Sequence, residues 1–442
     1  MANPAQAAAE VKVVVDGKAL SMDVKPVIEN DRTLVPLRAI FEALGAKVDW
    51  DGKTRTVTAV KGSTSIRLVV GNATALKNGS KVKLDVPAKI RNGRTLVPLR
   101  FVSEALGADV DWDAATYTVA IKNKQEFITI TDSKGRQVKV PSSPKRIVVT
   151  NSDVAEVISA LGAADRIVGA SDTCMEDPML SQKLKNAVSV GKWSRPSVEK
   201  IVELKPDVVF AYAGFLKNAG QVEAAGIPLV CLDCYKIETL AKDIKTLGQI
   251  LNKEKEAAEY VNCMEKYLNI IESRVKSLKT NQKPLVYLES YSDYKSVSVG
   301  SGGHQMLVMA GGTNIAGGEP VAFPQVSPEW VLSKNPQVII KAVSSKVASG
   351  YGETGEAMKK KREEIMSRPG WKGISAVKNG RVYIISSDVY TGPRAVVGIA
   401  YFAKWLHPQL FADLDPAAIH NEILTRFHGL KPEGAWVYPA GE

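Results

Sequence analysis

"RIVVTNSDVAEVISALGAADRIVGAS" occupies residues 146–171. "RIVVTN" is apolar and β-branched, the composition of a buried strand. "DVAEVISALG" (153–162) takes helical spacing and ends on a glycine suited to a left-handed cap. "RIVGAS" returns to strand character. The alternation continues downstream: "RPSVEKIVELK" (195–205) reads as a helix stopped by Pro206, "DVVFAYAG" as a strand, "QVEAAG" as a helix and "IPLVCLD" (227–233) as a strand. Strands alternating with helices predict a parallel sheet covered on both faces. Residues 237–280 hold almost no Pro or Gly and read as one or two long helices. A second run follows, with strands "PLVYLES" from 284, "PQVIIK" from 336 and "RVYIIS" from 381, then amphipathic helices "RAVVGIAYFAKWL" and "AAIHNEILTRFHG". The expected class is α/β: two lobes joined by a helical segment, with a ligand cleft between them.

The N-terminal part is of another kind. "RTLVPLRAIFEALGAKVDWD" (32–51) and "RTLVPLRFVSEALGADVDWD" (94–113) differ at four positions and start 62 residues apart. Each copy reads as strand, short helix and strand, with Pro36 and Pro98 at the first helical position and Gly45 and Gly107 as caps. "DG" at 51–52 is a hairpin signal. Two copies predict a small duplicated α+β domain that buries its helices and the faces of Trp50 and Trp112. A solenoid would need more repeats.

The 442 residues carry 58 Lys/Arg and 47 Asp/Glu, a net charge of +11. Residues 1–125 hold 19 Lys/Arg and 13 Asp/Glu, so that part contributes +6. No basic run is interleaved with stacking aromatics, which argues against nucleic acid. An anionic cell wall suits the basic N-terminal domain better. No stretch is long and apolar enough for a membrane span. "MANPAQAAAE" (1–10) reads as the residue of an export signal or a linker. Cys174, Cys231, Cys234 and Cys263 are too few for a disulfide scaffold, and "CLDC" without a second pair or a nearby His reads as core.

Two resemblances follow from these motifs. Residues 11–123, through the repeated "RTLVPLR…EALGA.VDWD", resemble the copper amine oxidase N-terminal-like domain, a stalk-like module. The name suggests an enzyme, but His304, His407, His420 and His428 all lie outside it, so no copper site fits there. Residues 127–430, through "RIVVTN…VISALGAADRIVGAS", "SVEKIVELKPDVVFA" and "FPQVSPEWVLSKNPQVII", resemble the substrate-binding proteins of ABC importers for iron chelates, haem and vitamin B12. That family implies two α/β lobes bridged by a long helix, the metal-chelate periplasmic-binding type. The expected divisions are lobe 1 at 127–236, a bridging helix at 237–280 and lobe 2 at 281–442.

The resemblance implies a protein that binds and delivers without catalysis and has no intrinsic cofactor. It implies export to the extracytoplasmic face of the envelope, a permease–ATPase partner and a monomeric state. The ligand expected is a metal chelate or macrocycle, a corrinoid or ferric siderophore. Haem or an oxyanion is the alternative within the fold, and a wall-adhesion module the alternative outside it. Family ligands lie at the carboxyl ends of the strands, where this chain places Lys192, Trp193, Arg195, Tyr212, Phe215, Tyr291, Tyr294, Phe323, Tyr390 and Arg394. Trp193, Tyr212, Phe323 and Arg394 fall where the family's vitamin B12 binders place rings and an Arg. The loop "SDTCMEDP" lacks their Tyr. Aromatic faces suit a planar macrocycle, and an Arg suits its carboxylates. His304 is a candidate axial metal ligand. Glu199 in "RPSVEKI" and Glu329 in "VSPEWVL" match the carboxylates with which the family docks its permease.

Overall fold

The computed structural model describes residues 11–62, 64–344, 347 and 350–439. Residues 1–10, expected above to be a signal remnant or linker, lie outside the described residues. The chain divides into two compact units, Met1–Glu126 and Phe127–Glu442.

In the first unit the two "RTLVP" strands, Arg32–Pro36 and Arg94–Pro98, pair antiparallel with Val35 opposite Val97. Equivalent residues therefore meet across an approximate two-fold, which is what a duplicated sequence allows. The helices Leu37–Ala43 and Leu99–Ala105 begin one residue later than expected, with Pro36 and Pro98 as caps. Leu37, Ile40, Phe41, Leu99 and Val102 enter a common core. Gly45 and Gly107 take positive φ, as the cap requires. The hairpin signalled at 51–52 forms, pairing Asp51 with Thr56 through a loop longer than Asp-Gly alone: Asp51 accepts the Lys53 N–H at 2.9 Å, and Arg55 carries the positive φ. One expectation is corrected. Trp50 and Trp112 are not buried but 40% exposed. Val48 and Val110 pack on the core, while the tryptophans, two residues further along the same strand faces, run past its edge.

The second unit opens with the hairpin Phe127–Thr131/Gln137–Pro141. Lobe 1 is a five-stranded parallel sheet in the order Val188–Ser189, Ile167–Ala170, Ile147–Val149, Val208–Ala211, Leu229–Cys231. Lobe 2 orders Thr313–Asn314, Leu285–Glu289, Val338–Val343 and Val382–Ser386 in parallel, and Val437–Tyr438 closes the edge antiparallel. The central strands are buried throughout, hence their near-continuous Val/Ile composition.

The segment 237–280 is not a single bridging helix. Ile237–Leu251 ends on Asn252 in the left-handed conformation, and Glu254–Val275 runs for 22 residues, about 33 Å. The two pack as a hairpin around Gly248, where a Cβ would lie 2.6 Å from that of Ala257. Tyr260, Val261 and Met264 on the longer helix join the core of lobe 1 (Ile147, Val149, Phe210) to that of lobe 2 (Val286, Ile340, Ile385). The lobes thus share one hydrophobic core, which stiffens the joint between them.

Candidate functional site

In lobe 1 the chain leaves the sheet centre in both directions, so the crevice at the carboxyl ends of the strands beside Ile147–Val149 is a topological switch point. Three loops open there. Thr150, Ser152 and Asp153 follow the central strand. Tyr212 and Phe215 follow Val208–Ala211, and Tyr235 follows Leu229–Cys231. Trp193 sits at the tip of the small hairpin in which Lys192 pairs with Arg195. These residues, with Thr173 and, from lobe 2, Thr391, line an open cavity of about 300 Å³.

One wall is aromatic. Trp193 meets Tyr212 edge-on at 5.6 Å between centroids and Phe215 at 6.0 Å, and Tyr212 meets Tyr235 at 5.9 Å. Trp193 is 37% and Phe215 50% exposed although each touches the other. Rings left open beside a cavity present contact area to a ligand. The floor is polar. The Tyr212 hydroxyl donates to Asp153 Oδ2 at 2.6 Å and lies 3.2 Å from Ser152 Oγ. Asp153 sits in the first turn of Ser152–Ala160, whose cap, Asn151, accepts its N–H. Burial pushes the Asp153 carboxyl up to about 7, opposed by the Tyr212 hydrogen bond. Gly392 allows the close approach from lobe 2: a Cβ there would sit 2.5 Å from Asp153 Oδ1.

The structure brings together Trp193, Tyr212 and Phe215 of the residues expected at the ligand. Lys192 and Arg195 flank Trp193 on the exposed hairpin without lining the cavity. Tyr291 is 45% exposed and meets the ring of Tyr390, the neighbour in sequence of the cavity's Thr391, edge-on at 6.0 Å, which places it beside the cavity on the lobe 2 side. Phe323 is half exposed on a loop of lobe 2, outside the cavity lining.

Three expectations are corrected. Arg394 is 3% exposed and turned inward: Nε lies 2.7 Å and Nη2 3.3 Å from the two carboxylate oxygens of Glu156, and Nη1 is 3.2 Å from His420 Nε2. It spans lobe 2 and lobe 1 as a buried ion pair and cannot also grip a ligand carboxylate. Tyr390 is likewise buried, its hydroxyl filling the space that a side chain on Gly303 would need. Tyr294 turns to Arg368, whose guanidinium stacks 4.4 Å from its ring and pairs with the buried Glu289.

His304 stands in the first turn of Gly302–Met309. Its Nδ1 is 3.0 Å from Asn314 Nδ2. Asn314 Oδ1 accepts the Ala316 N–H and its Nδ2 also donates to Val297 O, so the amide orientation is determined and His304 Nδ1 is the acceptor. The ring pins that turn. Among the described residues no group of three His, Cys, Asp or Glu side chains could hold a metal. The four cysteines are buried and free, and burial raises the thiols, Cys174 to about 12.

Glu199 and Glu329 occupy matching places, one on each lobe. Each is exposed in the first turn of a short helix capped by a Ser two residues earlier. The residue's own N–H, then the Ser hydroxyl, lowers each carboxyl below its ordinary range.

A larger concavity, about 550 Å³, lies in the first unit against Ile28, Phe101 and Trp112. Its Arg32 is already held by Asp85 at 2.6 Å. The smaller cavity, at a switch point and open to both lobes, is the better candidate.

Sequence reasoning missed Asp153, Thr150, Ser152, Thr173, Tyr235 and Thr391. Asp153 and Tyr235 follow strands within four residues, so a count outward from every strand end would have found them.

Residues 147–389, more than half of the chain, match the family described as periplasmic binding protein, and residues 14–121 match the copper amine oxidase N-terminal domain. The ABC transporter substrate-binding lipoprotein YvrC of Bacillus subtilis is 27% identical over 303 residues, covering 66% of this chain and 90% of that protein. The molybdate-binding protein MolA of Haemophilus influenzae is 25% identical, covering 69% and 93%. A vitamin B12-binding protein of Yersinia pestis is 28% identical over 199 residues, covering 44% and 69%. The solved structure of the TroA-like periplasmic binding protein FepB from Veillonella parvula superposes with a TM-score of 0.61 at 26% identity, covering 70% of this chain and 99% of that one. With two parallel-sheet lobes, a joining helix and a cleft at the strand ends, the chain belongs to the periplasmic binding protein family, as a substrate-binding protein of an ABC transporter.

Proposed function

We propose that the cleft takes a metal chelate or macrocycle with an apolar face, a corrinoid or a ferric siderophore, and that the chain delivers it without catalysis to an importing permease–ATPase at the extracytoplasmic face. The observation that carries this reading is the wall of Trp193, Tyr212, Phe215 and Tyr235 at the switch point. Such a wall buries a large flat ligand at low entropic cost. The named relatives divide between vitamin B12 and molybdate. An oxyanion is held by donors and positive charge, and the cavity lining contains no Lys or Arg. With Arg394 committed to Glu156, the carboxylates of haem lose the partner expected for them.

The test is a titration of the full chain with cyanocobalamin, a ferric hydroxamate, haem and molybdate, followed by tryptophan fluorescence. Quenching by the corrinoid or the hydroxamate is expected. Tight binding of molybdate or haem alone would overturn the reading. The basic first unit serves as a spacer toward the envelope, so residues 127–442 should bind as tightly as the whole chain. A loss of affinity on truncation would give that unit a part in binding.

A further inference from the structure

We infer that Asp153 is the selectivity residue of the cleft: its carboxyl receives a hydrogen-bond donor or a cationic group of the ligand and excludes anionic chelates. The inference rests on the binding-protein reading above and narrows its ligand class.

Four observations carry it. Asp153 is the one charged side chain in the cavity lining. The hydroxyls around it are partly committed: Thr150 Oγ1 donates to Phe210 O at 3.2 Å, and Tyr212 donates to Asp153 itself. That leaves Oδ1, on the side of Gly392, with no hydrogen bond among the described residues. Further acids stand behind the floor. Asp177 and Glu156 act on Asp153 through space, and Asp388 shares Arg394 with them. The cation set among these acids, Arg394, is bound to Glu156 through two contacts. Nearby lysines do not reverse the balance: Lys236 is held by Asp233 at 2.7 Å, and Lys192 is exposed on the hairpin. An anion entering here meets a carboxylate in a partly dry site, where repulsion is strong. A corrinoid with amide donors, or a cationic ferric hydroxamate, gains a charge-assisted hydrogen bond instead.

Affinity for a cationic probe should then fall on acidification through neutrality. Asp153 takes up a proton there, with burial as the cause. Asp388 titrates in the same range for the same reason, so the comparison has to be made against a variant. The titratable and charged groups coupled to Asp153 are Tyr212, Tyr235, Tyr291, Cys174, Cys234, Asp177, Glu156 and Arg394. The tyrosines, the thiols and Arg394 are all raised and keep their protons through this range, whereas burial raises Asp177 as it does Asp388.

The experiment titrates the full chain and its Asp153→Asn variant with three probes: cyanocobalamin, iron(III) ferrioxamine B as a cationic chelate and an iron(III) tris-catecholate as an anionic one. Each is measured at pH 5.5 and 8. Wild type should bind the first or second and reject the third. Asp153→Asn should weaken the bound probe roughly 10- to 100-fold, reduce its pH dependence to the part that Asp388 leaves and admit the catecholate more readily. Tyr212→Phe, which keeps the carboxylate, should retain the discrimination. Binding with unchanged selectivity in Asp153→Asn, at an unchanged melting temperature, overturns the assignment to Asp153 alone. Preferential binding of the catecholate by wild type overturns it as well. Failure of every probe to bind any of the proteins overturns the chelate reading on which it rests.

Discussion

Replacing Arg394 with methionine should damage the fold far more than the ligand site. The guanidinium is 3% and Glu156 7% exposed, and they meet through two contacts of 2.7 and 3.3 Å. Burial opposes the Arg394 charge, but Glu156 and Asp388 outweigh it and raise the group above its ordinary value. Removing one partner of such a pair leaves the other charge buried and alone, a cost of about 3–5 kcal/mol. Unfolding entropy near 2.1 cal/mol/K per residue for the Phe127–Glu442 unit converts this to a fall in melting temperature of roughly 5–8 °C. Scanning calorimetry of the full chain resolves it, because the two units can melt separately. Adding Glu156→Leu should restore most of the loss, since an apolar pair of similar volume is about as stable as a buried ion pair. A shift below about 1 °C combined with a tenfold loss of ligand affinity would refute the reasoning and return Arg394 to the cleft.

Trp193→Ala should weaken ligand binding by ~1–3 kcal/mol, the scale of a buried aromatic contact, with little change in melting; calorimetric titration of a bound corrinoid or hydroxamate checks it. Glu199→Ala with Glu329→Ala should leave solution affinity intact but reduce ligand-stimulated ATP hydrolysis by the reconstituted permease; normal stimulation with reduced affinity would move both residues to the pocket. His428 is buried and pushed down to about 3, by burial first and then by Arg394 and Lys183. The native ring stays neutral while the unfolded one, at about 6.5, takes a proton, so the stability this group confers is full above pH 6.5 and lost as pH falls toward 3. Asp153 and Asp388, raised to about 7, pull the opposite way in that window. The readout is therefore the difference between His428→Leu and wild type, which should shift in the variant's favour by up to ~1.4 kcal/mol per pH unit of acidification; a difference flat with pH would show that the ring titrates normally.

Much of this protein was legible locally. Strands such as Ile147–Val149 and Val338–Val343 are apolar on both faces because helices cover both, and that shows as unbroken Val and Ile. Gly45, Gly107 and Gly162 announced helix ends through backbone geometry that neighbouring residues impose. The repeat announced a duplicated unit. Trp193, Tyr212 and Phe215, singled out through the family resemblance, do lie together beside one cavity at the mouth of the parallel sheet. Tyr294, Tyr390 and Arg394 carried the same local signal and turned into the core instead. Which way such a side chain faces depends on what packs opposite it. For Arg394 that is Glu156, 238 residues earlier in the chain and on the other lobe. The break at Asn252, the outward Trp50 and Trp112 and the placing of Asp153 against Gly392 are of the same kind. Short-range pattern determined which elements form and, the break at Asn252 apart, roughly where they end. Only the closed tertiary structure decided which charges are neutralised from a distance, and so which groups remain free to meet a ligand.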